Sequence, residues 1–121
     1  MKRTLLPLLL CTIPGPAAAA RDFTPAETQE LRCVAAFALV AYDQQRGAPG
    51  WEGLPDLTVR GAHFSDRVRA RLAKASGQAD AAIKAAVRQQ IGQLQEAAGK
   101  AADPQAPTHK PGPRCLAPGA P

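Results

Sequence analysis

Aromatic side chains are scarce in this sequence, and the shortage limits what the chain can do. Its 121 residues include three Phe, one Tyr and one Trp. Nucleic-acid binding needs clustered positive charge together with aromatic or groove-entering elements, so no nucleic-acid partner is expected. No glycine-rich loop follows a strand pattern, and no nucleophile elbow or metal-ligand spacing occurs. The sequence therefore predicts no catalytic residue, no metal site and no cofactor.

The first twenty residues have the three parts of a secretory signal peptide. Lys2 and Arg3 give a positive start, and residues 5–13 form an apolar stretch that is too short to span a bilayer. A Pro-Gly-Pro breaker and the four alanines at 17–20 follow, as signal peptidase requires. This pattern predicts export.

The cut is predicted after Ala20, with a cut after Ala19 as the near alternative. A different interpretation is a bacterial lipoprotein in which Cys11 is lipidated. Leu10 argues against it, because the residue before such a cysteine should be small. We predict a signal peptide over residues 1–20 and no transmembrane segment after its removal.

The remaining 101 residues form one domain at most, and their charge is modest. They hold 13 basic and 10 acidic residues, so the net charge falls from +5 to +3. Leu, Ile, Val and Phe number only 17 of the 101. Alanine favours helix but buries little area. A helical domain over 21–100 with a covalent link is expected.

A first helix is predicted from its capping signal. Residues 24–27 read Thr-Pro-Ala-Glu, a capping box with proline in the first turn. Residues 31–42 are apolar except for Arg32, which is typical of a central helix packed on more than one side. Gly47 suits the left-handed position after the helix.

The loop over 47–54 and the next two helices follow from breakers and periodicity. Trp51, the only tryptophan, is expected to cover one end of the bundle; a ligand-facing role is the alternative. Helices are predicted over 55–76 and 79–99, joined by so few residues that they should lie antiparallel. The apolar face of the first is Leu57, Gly61, Phe64, Val68, Leu72 and Ala75, and that of the second is Ile83, Val87, Ile91, Leu94 and Ala98. Gly61 suggests close approach of a neighbouring helix.

The C-terminal part, 101–121, differs in composition from the rest. Residues 104–121 contain six prolines, which predicts an extended tail and no fourth helix. Removal of Cys11 leaves Cys33 and Cys115, an even pair in an oxidising compartment, and we predict a disulfide between them. The alternative is a buried Cys33 thiol with Cys115 free or paired between molecules. The fold class is all-α: a small three-helix bundle with a proline-rich tail tethered by the disulfide.

Short sequence motifs resemble those of a protein group. They lie at residues 32–37, 44–47, 57–64, 69–72 and 113–116. The chain resembles small exported two-cysteine helical proteins of sphingomonad-type alphaproteobacteria. The resemblance implies an envelope location in a Gram-negative bacterium and supplies no catalytic residue.

One polar pattern on the second predicted helix is regular. Five basic residues recur at spacings of three and four: Arg60, His63, Arg67, Arg71 and Lys74. This basic stripe could meet an anionic partner, such as a lipid headgroup, an envelope glycan or an acidic protein surface. The favoured interpretation is the solvated face of an amphipathic helix, because Asp66 and Glu52 can dilute the field.

The letters of a hydrolase triad occur at His63, Ser65 and Asp66. Residues so close together on one helix do not converge on a point. His63 and His109 have no carboxylate or cysteine at ligand spacing, which argues against a metal pair.

The sequence thus favours a non-catalytic periplasmic interaction or envelope-support protein. Its partner would be an unknown protein or an anionic envelope component. One alternative is a small periplasmic enzyme, or an enzyme subunit, with a site between the first helix and the Trp51 loop. Another is a chaperone-like protein of acid stress, although ten carboxylates are few for that role.

Overall fold

The computed structural model describes residues 20–109 and Cys115. Its helices are α1 Pro25–Gln45, α2 Leu57–Ser76, α3 Asp80–Lys100 and the one-turn α4 Ala106–His109. The described residues contain no strand, so the all-α prediction is confirmed. None of these helices is long and apolar enough to cross a membrane.

The capping signals of α1 form as predicted. Thr24 is the N-cap, and its hydroxyl accepts from the Glu27 backbone N–H at 3.2 Å. The Glu27 carboxylate in turn accepts from the Thr24 backbone N–H at 2.9 Å. Pro25 occupies the first turn, where a backbone N–H has no intrahelical partner, so the missing N–H of proline costs no hydrogen bond. Gly47 follows the helix with φ of 69°, which confirms its left-handed conformation.

The second and third helices begin slightly later than predicted. Asp56 caps α2, since its carboxylate accepts from the Thr58 backbone N–H at 2.9 Å and from the Thr58 hydroxyl at 2.6 Å. These hydrogen bonds lower the pKa of Asp56, the hydroxyl bond being the larger cause. Gly77 ends α2 with φ of 72°, as its position suggested. Ala79 precedes α3 without a side-chain cap.

Helix α1 is central, because it contacts both α2 and α3. Its buried side chains are Glu27, Leu31, Cys33, Val34, Ala35, Ala36, Phe37 and Val40. One strip of α1 remains uncovered by the described residues: Ala38 is exposed, and Tyr42 is 62% exposed. The prediction of a helix packed on several sides is therefore right except along this strip.

The predicted apolar face of α2 is correct over most of its length and wrong at its end. Ala75 is exposed, and Ser76 is buried in its place with its hydroxyl donating to the Leu72 carbonyl at 2.6 Å. Gly61 is buried, and a Cβ there would lie 3.6 Å from the Phe37 Cβ, an ordinary contact. Helix α1 does approach Gly61, but it leaves room for a methyl group.

The disulfide between Cys33 and Cys115 is present, with the two Cα atoms 5.4 Å apart. Both cysteines belong to a buried cluster that also contains Phe37, Val40, Leu57 and Trp51. Trp51 is only 5% exposed, so it covers this end of the core as predicted.

The start of the tail departs from the prediction. Residues 106–109 form one helical turn, in which Pro107 stands near the start and so displaces no intrahelical N–H. Gln105 fastens this region to the Trp51 loop, donating from Nε2 to the Pro49 carbonyl at 2.8 Å. The prediction that this stretch contains no fourth helix is therefore wrong at α4. Residues 1–19, most of the predicted signal peptide, and the tail at 110–114 and 116–121 lie outside the described residues.

Candidate anion-binding surface

The basic stripe lies on α2, and every member of it is exposed. Its members are Arg60, His63, Arg67, Arg71 and Lys74. Side chains three or four positions apart on a helix are neighbours, with Cβ atoms about 5–6 Å apart. The fourteen residue steps from first to last span about 21 Å at 1.5 Å per residue. The stripe is therefore a nearly straight line of positive groups facing solvent.

One member of the stripe has a partner within the protein. Arg71 forms a salt bridge to Glu30 of α1. In the described part of the chain, no carboxylate pairs with Arg60, Arg67 or Lys74. Three fixed positive charges of the stripe are thus available to an outside partner, and Arg71 is paired with Glu30 at the surface of α1.

Asp66 was expected to weaken the field of the stripe, but the structure engages it elsewhere. Its Oδ1 lies 3.3 Å from Nη2 of Arg69, whose Nε also lies 3.2 Å from Oδ1 of Asp80. Arg69 is not part of the stripe, because a residue two positions from Arg67 lies about 200° around the helix. The Asp66 charge is therefore compensated on the side of α2 that faces α3.

Glu52, the other expected source of dilution, is bound within its own loop. Both of its carboxylate oxygens accept from the Gly50 backbone N–H, at 3.1 and 3.0 Å. Hydrogen bonds from the backbone N–H groups of Glu52 and Gly50 lower its pKa. Among the described residues, no ion pair joins Glu52 to the stripe.

The triad letters do not come together. His63 is exposed, whereas Ser65 lines an apolar cleft of about 230 Å³ between α1 and α2. Asp66 is held by Arg69. The described residues contain no group of three His, Cys, Asp or Glu side chains that could hold a metal ion.

A second cleft, of about 380 Å³, lies where the enzyme alternative places a site. It is lined by parts of α1, α3, the Trp51 loop and the start of the tail. The carboxylate on its wall is Asp43, which is half-buried and accepts from Arg46 Nε at 3.0 Å. Arg46 also stacks on Tyr42, with its guanidinium carbon 5.2 Å from the ring centroid. The carboxylate of this cleft is thus paired with the neighbouring Arg46.

The buried carboxylate of α1 lies in the first turn. Glu27 is 8% exposed and receives two hydrogen bonds from Arg21, at 2.7 and 3.0 Å. This pairing, followed by the Thr24 backbone N–H, lowers the pKa of Glu27 to about 2. The pair raises the pKa of Arg21. The capping box was visible in the sequence, but no periodicity placed Arg21 beside it.

Two further contacts that shape the stripe were not predicted. Asp66 and Arg69 stand three positions apart on one helix, a spacing that indicates an ion pair. The sequence therefore did contain a signal for this partner of Asp66. The Glu30–Arg71 contact joins residues 41 positions apart, and no local pattern reveals such a pair.

No family model, curated protein or solved structure matches the chain.

Proposed function

We propose that this is a non-catalytic periplasmic protein that attaches to an anionic envelope component through the basic stripe of α2. The observation that carries the proposal is the line of unpaired cations formed by Arg60, Arg67 and Lys74. The mature chain has a net charge of only +3, so the local concentration of charge on α2 matters more than the total. Fixed charges on one face attract a partner of opposite sign.

Export is the second part of the proposal. The N-terminal charge, apolar stretch and alanines support it, and the Cys33–Cys115 disulfide is typical of an oxidising compartment. The resemblance to exported two-cysteine proteins of alphaproteobacteria supports the same envelope location.

The spacing of the stripe indicates the chemistry of its partner. The three available cations, Arg60, Arg67 and Lys74, recur every seven residues, about 10.5 Å apart along the helix axis. This spacing suits a surface or chain that repeats phosphate or carboxylate groups. In the envelope, lipid headgroups and anionic glycans both supply such groups. Val59, also on α2, is a large apolar side chain that is 61% exposed. We therefore expect the protein to attach at the level of the lipid headgroups without deep insertion.

Vesicle binding tests the proposal. The wild type should sediment with vesicles that contain phosphatidylglycerol and not with phosphatidylcholine vesicles, and added salt should release it. The triple variant Arg60→Gln, Arg67→Gln and Lys74→Gln should lose at least tenfold in affinity, since each surface cation contributes about 1 kcal/mol at an anionic membrane. A soluble anionic polysaccharide, added as a competitor, distinguishes a lipid source of the anions from a glycan source.

The matched control removes the same charge from another surface. Lys84, Arg88 and Lys100 are exposed on α3, and their replacement by Gln also lowers the net charge by three. This control should bind as well as the wild type. Equal loss in both variants would mean that binding depends on net charge alone, and absence of binding by the wild type at low salt would refute the proposal.

A further inference from the structure

Arg21 is joined to the helices through both its backbone and its side chain. Its backbone N–H donates to the Ser76 carbonyl at 2.9 Å. Its own carbonyl accepts from Gln78 Nε2 at 2.8 Å, and its guanidinium forms the paired hydrogen bonds to Glu27. Arg21 is thus held by the end of α2, by the turn after it and by the first turn of α1.

The acceptor of the Arg21 N–H is a helix-terminal carbonyl. Ser76 is the last residue of α2, and the final carbonyls of a helix have no intrahelical partner. The negative end of the helix dipole lies at the same place, where a positive charge is favourable. The Arg21 nitrogen therefore occupies a position that would suit an ammonium group better than an amide.

We propose that signal peptidase cuts between Ala20 and Arg21, and that the new α-amino group caps the C-terminus of α2. The cut adds water across the Ala20–Arg21 peptide bond, leaving a carboxylate on Ala20 and an ammonium on Arg21. The nitrogen keeps hydrogens to donate to the Ser76 carbonyl and gains a positive charge at the end of the helix. Charge-assisted hydrogen bonds are stronger than neutral ones.

This inference rests on the export proposal and decides between its two cleavage positions. Cleavage after Ala19 would put the ammonium on Ala20, one residue away from the Ser76 carbonyl, and leave an uncharged amide at Arg21. The two products differ by one alanine in mass. Cleavage after Ala20 is the one that converts a contact already present into a charged helix cap.

The first arm of the test is the intact mass and N-terminal sequence of protein that is expressed from the full-length gene in a Gram-negative host. A chain that begins at Arg21 is expected. A chain that begins at Ala20 would overturn this inference and leave export standing, whereas an intact Met1 would overturn export itself. The two proposals therefore fail in different ways.

The second arm tests the cap on the processed protein. Selective acetylation of the α-amino group near neutral pH removes its charge, and urea denaturation is compared with that of the untreated protein. At about pH 6, where an α-amino group is protonated, the acetylated form should unfold at a lower urea concentration. At about pH 10, where the amine is neutral, the difference should shrink. Equal midpoints at pH 6 would overturn the cap.

Discussion

The Glu27 side chain connects the start of the chain to the start of α1. Its carboxylate accepts from the Thr24 backbone N–H as part of the capping box and from both guanidinium nitrogens of Arg21. A carboxylate that receives several hydrogen bonds and faces a cation favours its ionised form, and this lowers its pKa to about 2. The charge state of this one group therefore bears on the stability of the fold.

The pH dependence of stability follows from that shift. The folded pKa of Glu27 lies below its ordinary value of 4.5, so the stabilisation is complete above about pH 4.5 and is lost as the pH falls towards 2. Glu27→Gln should unfold more easily at neutral pH, because the ion pair is absent. It should also lose less stability than the wild type between these two pH values. Urea denaturation at a series of pH values measures both effects.

The control for this prediction is Glu96→Gln. Glu96 is an exposed carboxylate whose ion-pair partner among the described residues is Lys100, and its replacement changes the net charge by the same amount. Its stability should follow the wild-type pH dependence. If Glu27→Gln also follows the wild-type curve, the Arg21–Glu27 pair does not stabilise the fold.

At the scale of the residue, contacts between residues close in sequence could be predicted, and contacts between residues far apart in sequence could not. Thr24 and Glu27 stand three positions apart, a spacing that identifies a capping box directly. The contacts of Arg71 with Glu30 and of Arg21 with Ser76 depend on how the helices pack. The stripe was therefore predicted as a pattern, but the pairing of Arg71 was not.

Helix α3 contains a glycine that the fold does not require. Gly92 is exposed in the middle of α3, and no atom lies within 4 Å of where its Cβ would be. Gly92→Ala should stabilise the protein by about 0.5–1 kcal/mol, because alanine loses less backbone entropy in a helix. Thermal or urea denaturation followed by far-UV circular dichroism measures the change.

The contrasting substitution is Gly77→Ala at the end of α2. Gly77 has φ of 72°, and a left-handed conformation costs a residue with a Cβ about 1–2 kcal/mol. This variant should be destabilised where Gly92→Ala is stabilised. A destabilised Gly92→Ala would mean that the exposed face of α3 packs against something.

At the scale of the element, helix boundaries and glycine stops were predictable because caps and left-handed turns have local causes. The buried face was predictable only in the helix interior. Ser76 is buried in place of Ala75 because its hydroxyl donates to the Leu72 carbonyl and so satisfies its own polarity. The turn of α4 was missed because proline content alone indicates an extended chain, although Pro107 near the start of a turn is allowed.

The whole molecule depends on a small apolar core and one covalent link. Large buried side chains are few, and the disulfide lies inside a cluster with Trp51 and Phe37. Both cysteines of the disulfide are buried, Cys33 at 7% and Cys115 at 2% exposure. Loss of the link would therefore affect the packing of the Trp51 loop as well as the entropy of the unfolded chain.

Replacement of both cysteines by serine tests this dependence. Cys33→Ser with Cys115→Ser should lower the free energy of unfolding by about 2–5 kcal/mol, as removal of a disulfide from a small exported domain does. The fluorescence of Trp51 should shift to longer wavelength as the loop loosens. Urea denaturation followed by that fluorescence measures both changes.

Reductant supplies the control. It should destabilise the wild type and leave the double serine variant unchanged, since that variant has no bond between positions 33 and 115 to reduce. Equal stability of wild type and variant would mean that apolar packing alone holds the end of the bundle.

The disulfide also makes the folded region a closed covalent ring. Cys33 and Cys115 are 82 positions apart, and most of α1 together with all of α2, α3 and α4 lies between them. A single break in the backbone of this ring, for example in the exposed loop near Gly53, leaves both pieces in one molecule. The fragments stay at a high effective concentration and can remain paired. A protein built this way tolerates one proteolytic cut in the ring without releasing either fragment.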